Sequence, residues 1–312
     1  MTDILSITGP IFLLIGLGFL ATRFGLFGRD EIRFFGRYVL LITLPAMLFY
    51  GLATRSFAEV LRLDYLAAYA AGSALMFAMG FVYARWVRGH TVTLASYVAA
   101  GMSWSNSVYI GYPILYLSLG SIAGVVLAMN LLIELTLMFI LLQVFAEMGR
   151  EKTSLVSEPI WLVVGKRLGS NSAIWAIALG FASSLSGLAP PGPVMKAIEL
   201  VATSGAALAL FTIGGTLVGM KVSGLRGVIA ETVLAKLLLH PIVVAVVVIY
   251  LLPIADSTLA KAAILSACVP VFSIYPILAQ RHRLEEVCAA STLVATVLSF
   301  VTLSISLAIV LR

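Results

Sequence analysis

The chain has 312 residues, 61% of them apolar and only 11% charged, with a mean hydropathy of +1.09. Soluble domains carry roughly 45–50% apolar and about 25% charged residues, so this chain cannot clothe a water-facing surface. Its net charge of +6 is no nucleic-acid footprint, because no basic run is interleaved with aromatics and the Lys and Arg of membrane chains gather in cytoplasmic loops.

A bilayer span needs about 20 mostly apolar residues. Charge breaks and Gly/Pro punctuation predict ten, at 4–22, 34–53, 65–84, 91–119, 121–146, 171–187, 197–220, 228–252, 257–279 and 286–311. The first follows Asp3 without a basic leader and reads as a span rather than a cleaved signal peptide. The fourth is long and holds Ser103-Trp104-Ser105-Asn106-Ser107, then Gly111-Tyr112-Pro113. The longest loop, 149–170, carries an interfacial patch at 159–164. In the seventh span, Gly215-x-x-x-Gly219 permits close helix packing, within the chain or at a dimer seam. The ninth contains Pro270, Ser273 and Pro276. Cys268 and Cys288 both fall in apolar segments and read as buried thiols rather than a disulfide.

Fourteen of the twenty Lys and Arg residues lie in the loops that follow odd-numbered spans, and five lie on the opposite side. That bias puts the fourteen in the cytoplasm and both termini outside. The twentieth, Lys236, is inside span eight. Internal similarity accompanies this topology. Gly18-Phe19 and Phe49 recur 162 residues later as Gly180-Phe181 and Phe211, and Tyr112-Pro113-Ile114-Leu115 recurs 163 later as Tyr275-Pro276-Ile277-Leu278. The chain thus divides into two five-span units, at 1–147 and 171–312, joined by a cytoplasmic loop at 148–170. An odd number of spans per unit makes the second insert upside down, the plan of many secondary transporters. The expected fold is therefore an all-α membrane protein of ten helices in two inverted repeats.

Proline removes a backbone donor and clashes with the preceding turn, so Pro113, Pro270 and Pro276 are expected to interrupt spans four and nine. Freed backbone groups are tolerated in a bilayer only where protein or a water-filled cavity satisfies them. Matched interruptions thus point to a substrate site near mid-membrane, where half-helix N-termini suit an anion. Candidate binding groups are Ser103, Ser105, Asn106, Ser107, Tyr109 and Pro113 in the first break, with Val269, Pro270, Ser273 and Pro276 in the second. Each serine has a second reading, a bond back to its own helix. Asn106 is the strongest candidate, since an amide donates and accepts at once.

Intramembrane ionisable residues mark function by default. Glu134 and Lys236 lie deep and are expected to pair with each other or face a cavity; His240, before Pro241, reads more as a structural hydrogen-bonding group. Glu199 and Glu231 lie nearer the interfaces. No phosphate-cradling loop and no metal-ligand pattern occurs, and no cofactor is expected.

Asn106 with Gly111-x-Pro113, the Pro270-to-Pro276 segment running into Ile277-Leu278-Ala279-Gln280-Arg281, Ala289-Ala290-Ser291-Thr292, Thr296-Val297-Leu298-Ser299 and Leu44-Pro45-Ala46 together resemble the auxin efflux carrier family, which includes plant PIN proteins and bacterial malonate or malate carriers. Ser107-Val108 stands where the bacterial pattern has Thr-Gly. The resemblance implies crossed, broken helices four and nine, as in sodium–proton antiporters and bile-acid symporters. It also implies a scaffold of helices 1, 2, 6 and 7, a homodimer, and elevator-type movement of an organic acid across the inner membrane. Two other functions compete: a sodium-coupled symporter of the bile-acid type, which would want more carboxylates and amides at the crossing, and an intramembrane serine protease built on Ser204 and His240.

Overall fold

The computed structural model describes residues 2–56, 59, 61–149, 162, 165, 169, 171–188, 190–219 and 225–311. The interfacial patch expected at 159–164 lies outside the described residues, except for position 162. Among the described residues the fold is helical, with no strand beyond one isolated bridge. The helices are α1 (Thr2–Arg23), α2 (Arg29–Ala53), α3 (Leu63–Val87), α4 (Val92–Ser103), α5 (Tyr112–Leu119), α6 (123–148), α7 (Ser172–Ser186), α8 (Gly192–Leu217), α9 (Arg226–Leu251), α10 (Ser257–Cys268), α11 (Tyr275–Ala279) and α12 (Glu285–Val310). Among the described residues, six helical runs are long and apolar enough to cross a membrane, and shorter apolar helices accompany them.

Apolar residues surround these helices rather than forming one stripe, the pattern of segments buried in protein on one side and lipid on the other. Leu17, Val246 and Ile305 point outward, while Tyr65, Phe77 and Leu127 are buried inside. The short helices start on side-chain caps that occupy otherwise orphaned N–H groups. Thr91 Oγ1 accepts from Leu94 at α4, Asn171 Oδ1 from Ala173 at α7, and Asp256 Oδ1 from Thr258 at α10. One 42-residue helical run, Ser107–Met148, turns at Gly120, whose φ of +71° suits a residue without Cβ.

Packing falls into two groups. Helix α1 lies along α8, α7 along α2, and α2 along α8. Helix α3 packs on α4 and α9, α4 on α6, and α12 on α9, α10 and α11. Glycines set the closest approaches in the first group. A Cβ on Gly214 would lie 1.8 Å from the Ile15 carbonyl oxygen, one on Gly18 2.0 Å from that of Phe211, and one on Gly180 2.8 Å from Leu52 and 3.4 Å from the Phe49 oxygen. The Gly215-x-x-x-Gly219 pair is used within the chain: Gly215 abuts Ile32 and Gly219 the Arg29 guanidinium. Gly214→Ala should therefore force α1 from α8 and lower the unfolding temperature in detergent, by the equivalent of about 1–3 kcal/mol. Gly16→Ala, with open space around it, should leave it unchanged.

The prolines act differently from the sequence expectation. Pro113 and Pro276 do not break their helices. Pro113 lies where the π-helical turn Ser107–Gly111 passes into α5, inside a run that begins at Ser107. Pro276 sits in the first turn of α11, where an N–H has no helical partner and its loss is tolerated. The breaks precede them, at 104–106 and 269–274.

Candidate functional site

Helix α4 ends at Ser103 and Trp104 becomes extended (φ −103°, ψ 130°). Helix α10 ends at Cys268 and Val269 is extended likewise (φ −71°, ψ 154°). The two extended segments meet: Ser105 forms an antiparallel bridge with Val271, and the Asn106 N–H donates to the Pro270 carbonyl at 2.9 Å. Pro270 can serve here because only its carbonyl is needed. The Trp104 and Phe272 rings stack at 4.0 Å over the bridge.

Asn106 organises the turn on its C-terminal side. Its Oδ1 accepts from the Tyr109 N–H at 3.3 Å, its carbonyl from Gly111 at 2.8 Å, and its Nδ2 donates to Ser273 Oγ at 2.7 Å. The side chain thereby caps the wide π-helical turn Ser107–Gly111 and ties one break to the other. Residues of both breaks line a cavity of about 350 Å³ with Glu134, Leu40, Leu44, Leu131 and Leu135. Those residues sit near the middles of α2 and α6, so the crossing is level with the centres of two long apolar helices. The cavity reaches Asn171 and Ser172 at the start of α7. A second cavity, about 330 Å³, lies beyond Asn106 and Ser273 and reaches Arg33 and Arg37. The Asn106–Ser273 pair thus stands between the two.

Of the two arrangements expected for the buried charges, Glu134 takes the second and lines the cavity. Glu134 and Lys236 do not form an ion pair. Lys236, fully buried, donates to Ser105 Oγ at 3.0 Å and the Ala267 carbonyl at 2.8 Å, and meets His240 Nδ1 at 2.9 Å. Its ammonium caps the C-terminal end of α10, where the helix dipole is negative. His240 Nε2 lies 3.3 Å from Ser73 Oγ. Glu134, 5% exposed, accepts from Ser107 Oγ at 2.5 Å. Ser107, Glu134 and Lys236 all stand on π-helical turns, local widenings that recur at functional sites.

The remaining candidates divide. Ser103 bonds back to Ala99 and Tyr109 Oη donates to the Gly36 carbonyl. Pro113 is buried in α5, and Pro276 borders the second cavity. Val269 and Pro270 contribute backbone only. Glu199 pairs with Lys196 and Glu231 with Arg88. Ser204 bonds back to Val201 while His240 is engaged elsewhere, so no Ser204–His240 dyad exists. Tyr65, Tyr69, Ser73 and Asn130 join the polar network: Asn130 bonds Tyr65 and Ser266, and Tyr69 donates to Ser105. Only Asn130 carries a signal in the sequence, an intramembrane amide four residues before Glu134 and on the same face.

At the far end of α2, a cavity of about 460 Å³ is lined by Tyr50, Arg55, Glu59 and Glu199. Arg55 donates to Ser121 Oγ at 2.7 Å and its carbonyl accepts from Ser184 Oγ at 2.7 Å, tying α2 to the starts and ends of its neighbours. The Ser56 hydroxyl, with Arg55 nearby, holds the Glu59 carboxyl below the usual carboxylate range.

The site therefore offers an amide, hydroxyls, one carboxyl and free backbone inside an apolar multi-pass protein. Comparison with known proteins agrees with that inventory. A protein of Rhizobium meliloti (strain 1021) named "Putative malonate transporter" is 25% identical over 308 residues, covering 97% of this chain and 95% of the relative. Residues 5–307 match the family described as membrane transport protein. The chain belongs to that family, the auxin efflux carrier family its motifs resemble.

Proposed function

We propose that this transporter is a secondary carrier of a small organic anion, and not an enzyme. The observation that carries the reading is the Asn106–Ser273 pair, formed across two helix breaks beside a cavity at mid-helix depth. Half-helix N-termini at Ser107 and Tyr275 add partial positive charge, and Arg33 and Arg37 line the approach from one side. A volume of about 350 Å³ is at the small end of the roughly 300–1,000 Å³ of ligand pockets, which fits a short carboxylic acid. The relative's name points to malonate as the first probe.

The protein spans the inner membrane ten times as two inverted repeats, with both termini outside. Reciprocal contacts support the repeat. Gly18 meets Phe211 and Gly180 meets Phe49, and the 162-residue offset exchanges these two pairs. Helices α1, α2, α7 and α8 form the scaffold of a homodimer, and the rest move as an elevator. Smooth packing between the groups supports the movement: Gly51 of α2 and Gly124 of α6 touch backbone to backbone, with no side chains to interlock. Because the cavity reaches Asn171, on the side assigned to the cytoplasm, we read this conformation as open inward.

The sodium-coupled alternative is less well supported, since the Lys236 ammonium already occupies the carbonyl end of α10, where such carriers hold their cation. Counterflow in proteoliposomes tests the carrier reading. Liposomes loaded with unlabelled malonate should accumulate labelled malonate through the protein without any other energy source. Absence of exchange for malonate and for other short mono- and dicarboxylates would refute the anion reading.

A further inference from the structure

The cavity proposed to receive an anion already contains a carboxyl group. Glu134 lines it together with Asn106, Ser107 and Ser273. Its hydrogen bonds come from neutral donors, the Ser107 hydroxyl and the Trp104 indole. Each neighbouring element contributes groups around it. Helix α2 offers Leu40, Leu41 and Leu44, and α7 offers Asn171 and Ser172. Helix α3 brings Tyr65 and Tyr69. Helix α9 brings Lys236 and His240, and α10 brings Cys268 beside Lys236. Lys236 is the one buried cation in this set among the described residues. It does not approach Glu134 within ion-pair distance, and its donors are directed to Ser105, His240 and Ala267. An ionised Glu134 and a carboxylate substrate would therefore share one cavity, with the nearest buried cation, Lys236, behind Ser105 and its donors already engaged. Two carboxylates sharing one site do not both stay ionised; one takes a proton.

We propose that Glu134 carries a proton with the anion, so that the protein works as a proton–anion symporter. This rests on the carrier reading above. A proton from water joins a Glu134 carboxylate oxygen as the anion binds to Asn106 and Ser273, and the same oxygen returns it to water on the other side as the anion leaves. The Ser107 hydroxyl donates to the other oxygen throughout. No further reactant is involved, and charge and protons balance over the cycle.

The test uses the purified full-length protein and malonate, at pH values where free malonate is fully ionised. In the alkaline range, where Glu134 of the ligand-free protein is ionised, calorimetry in buffers of different ionisation enthalpy should find about one proton taken up per malonate bound, and apparent affinity should weaken about tenfold per pH unit. Glu134→Gln should take up none, bind with an affinity that does not vary with pH, and exceed the wild type at alkaline pH. In liposomes it should lose accumulation driven by a pH gradient. Wild-type binding with no proton uptake overturns the proposal, as does Glu134→Gln that still takes up a proton. The wild-type stoichiometry decides the matter by itself should the variant fold poorly. Wild-type protein that binds neither malonate nor any other short mono- or dicarboxylate would refute the carrier reading instead, and the two failures are thereby distinct.

Discussion

Replacing Asn106 by Asp should abolish malonate counterflow at neutral pH while leaving a folded, membrane-inserted protein. Asp keeps the acceptor that caps the turn at Tyr109, and Asp is as good a cap as Asn. Ser273, now facing an acceptor, can rotate its hydroxyl to donate. What changes is charge. A carboxylate about 4 Å from a bound carboxylate costs about 4 kcal/mol at an effective dielectric of about 20, close to a thousandfold in affinity at about 1.4 kcal/mol per decade. Asn106→Ala loses only the bonding, about 1–3 kcal/mol, or roughly 5- to 150-fold. The order wild type, Ala, Asp is therefore the signature, read by counterflow and by malonate-dependent protection against thermal unfolding. Asp transporting as well as wild type at neutral pH would show that no anion sits beside position 106.

Lys236→Met should destabilise the protein by about 1–3 kcal/mol, in spite of removing a buried charge. Two effects oppose. Met relieves the desolvation of an ammonium, and replacing a buried charge network with apolar groups is often neutral or better. The network here is not replaced, however, since its acceptors stay. The Ala267 carbonyl at the end of α10 loses its lysine donor and keeps only the bond to His240, and one underbonded buried group costs about 1–3 kcal/mol. Ser105 retains Tyr69. Because Ser105 and the end of α10 are the two sides of the crossing, the loss should be concentrated there, as faster hydrogen exchange at 104–106 and 269–274. A Lys236→Met protein that unfolds at a higher temperature than wild type would overturn this account of the lysine as a clasp.

Where the crossing lies was legible because the Tyr-Pro-Ile-Leu repeat and the polar run before it are local features of the chain. Their meaning was shifted by one turn. Proline marks where a helix can begin as well as where it ends, and sequence alone does not separate the two at Pro276. The depth of Lys236 was legible from its apolar flanks, but its partners were not. They lie on Ser105 and Ala267, 131 and 31 residues away, and a neutral carbonyl at a helix end leaves no mark in composition. The π-helical turns beneath Glu134 and Lys236 have no residue signature, so the direction of those side chains comes only from coordinates. Likewise, Gly215 and Gly219 announced a close contact without saying that Ile32 and Arg29 would supply it.

The bridge between Ser105 and Val271 also sets a schedule for the newborn chain. Its halves are separated by the synthesis of more than half the protein, and at about 5–20 residues per second the first extended segment waits on the order of ten seconds or longer for the second. During that interval the Asn106 N–H and amide have no Pro270 and no Ser273, in a setting where lipid offers no substitute. The first half can insert, but it cannot close its own polar surface. The site is completed only when the segment through Ser273 has left the ribosome.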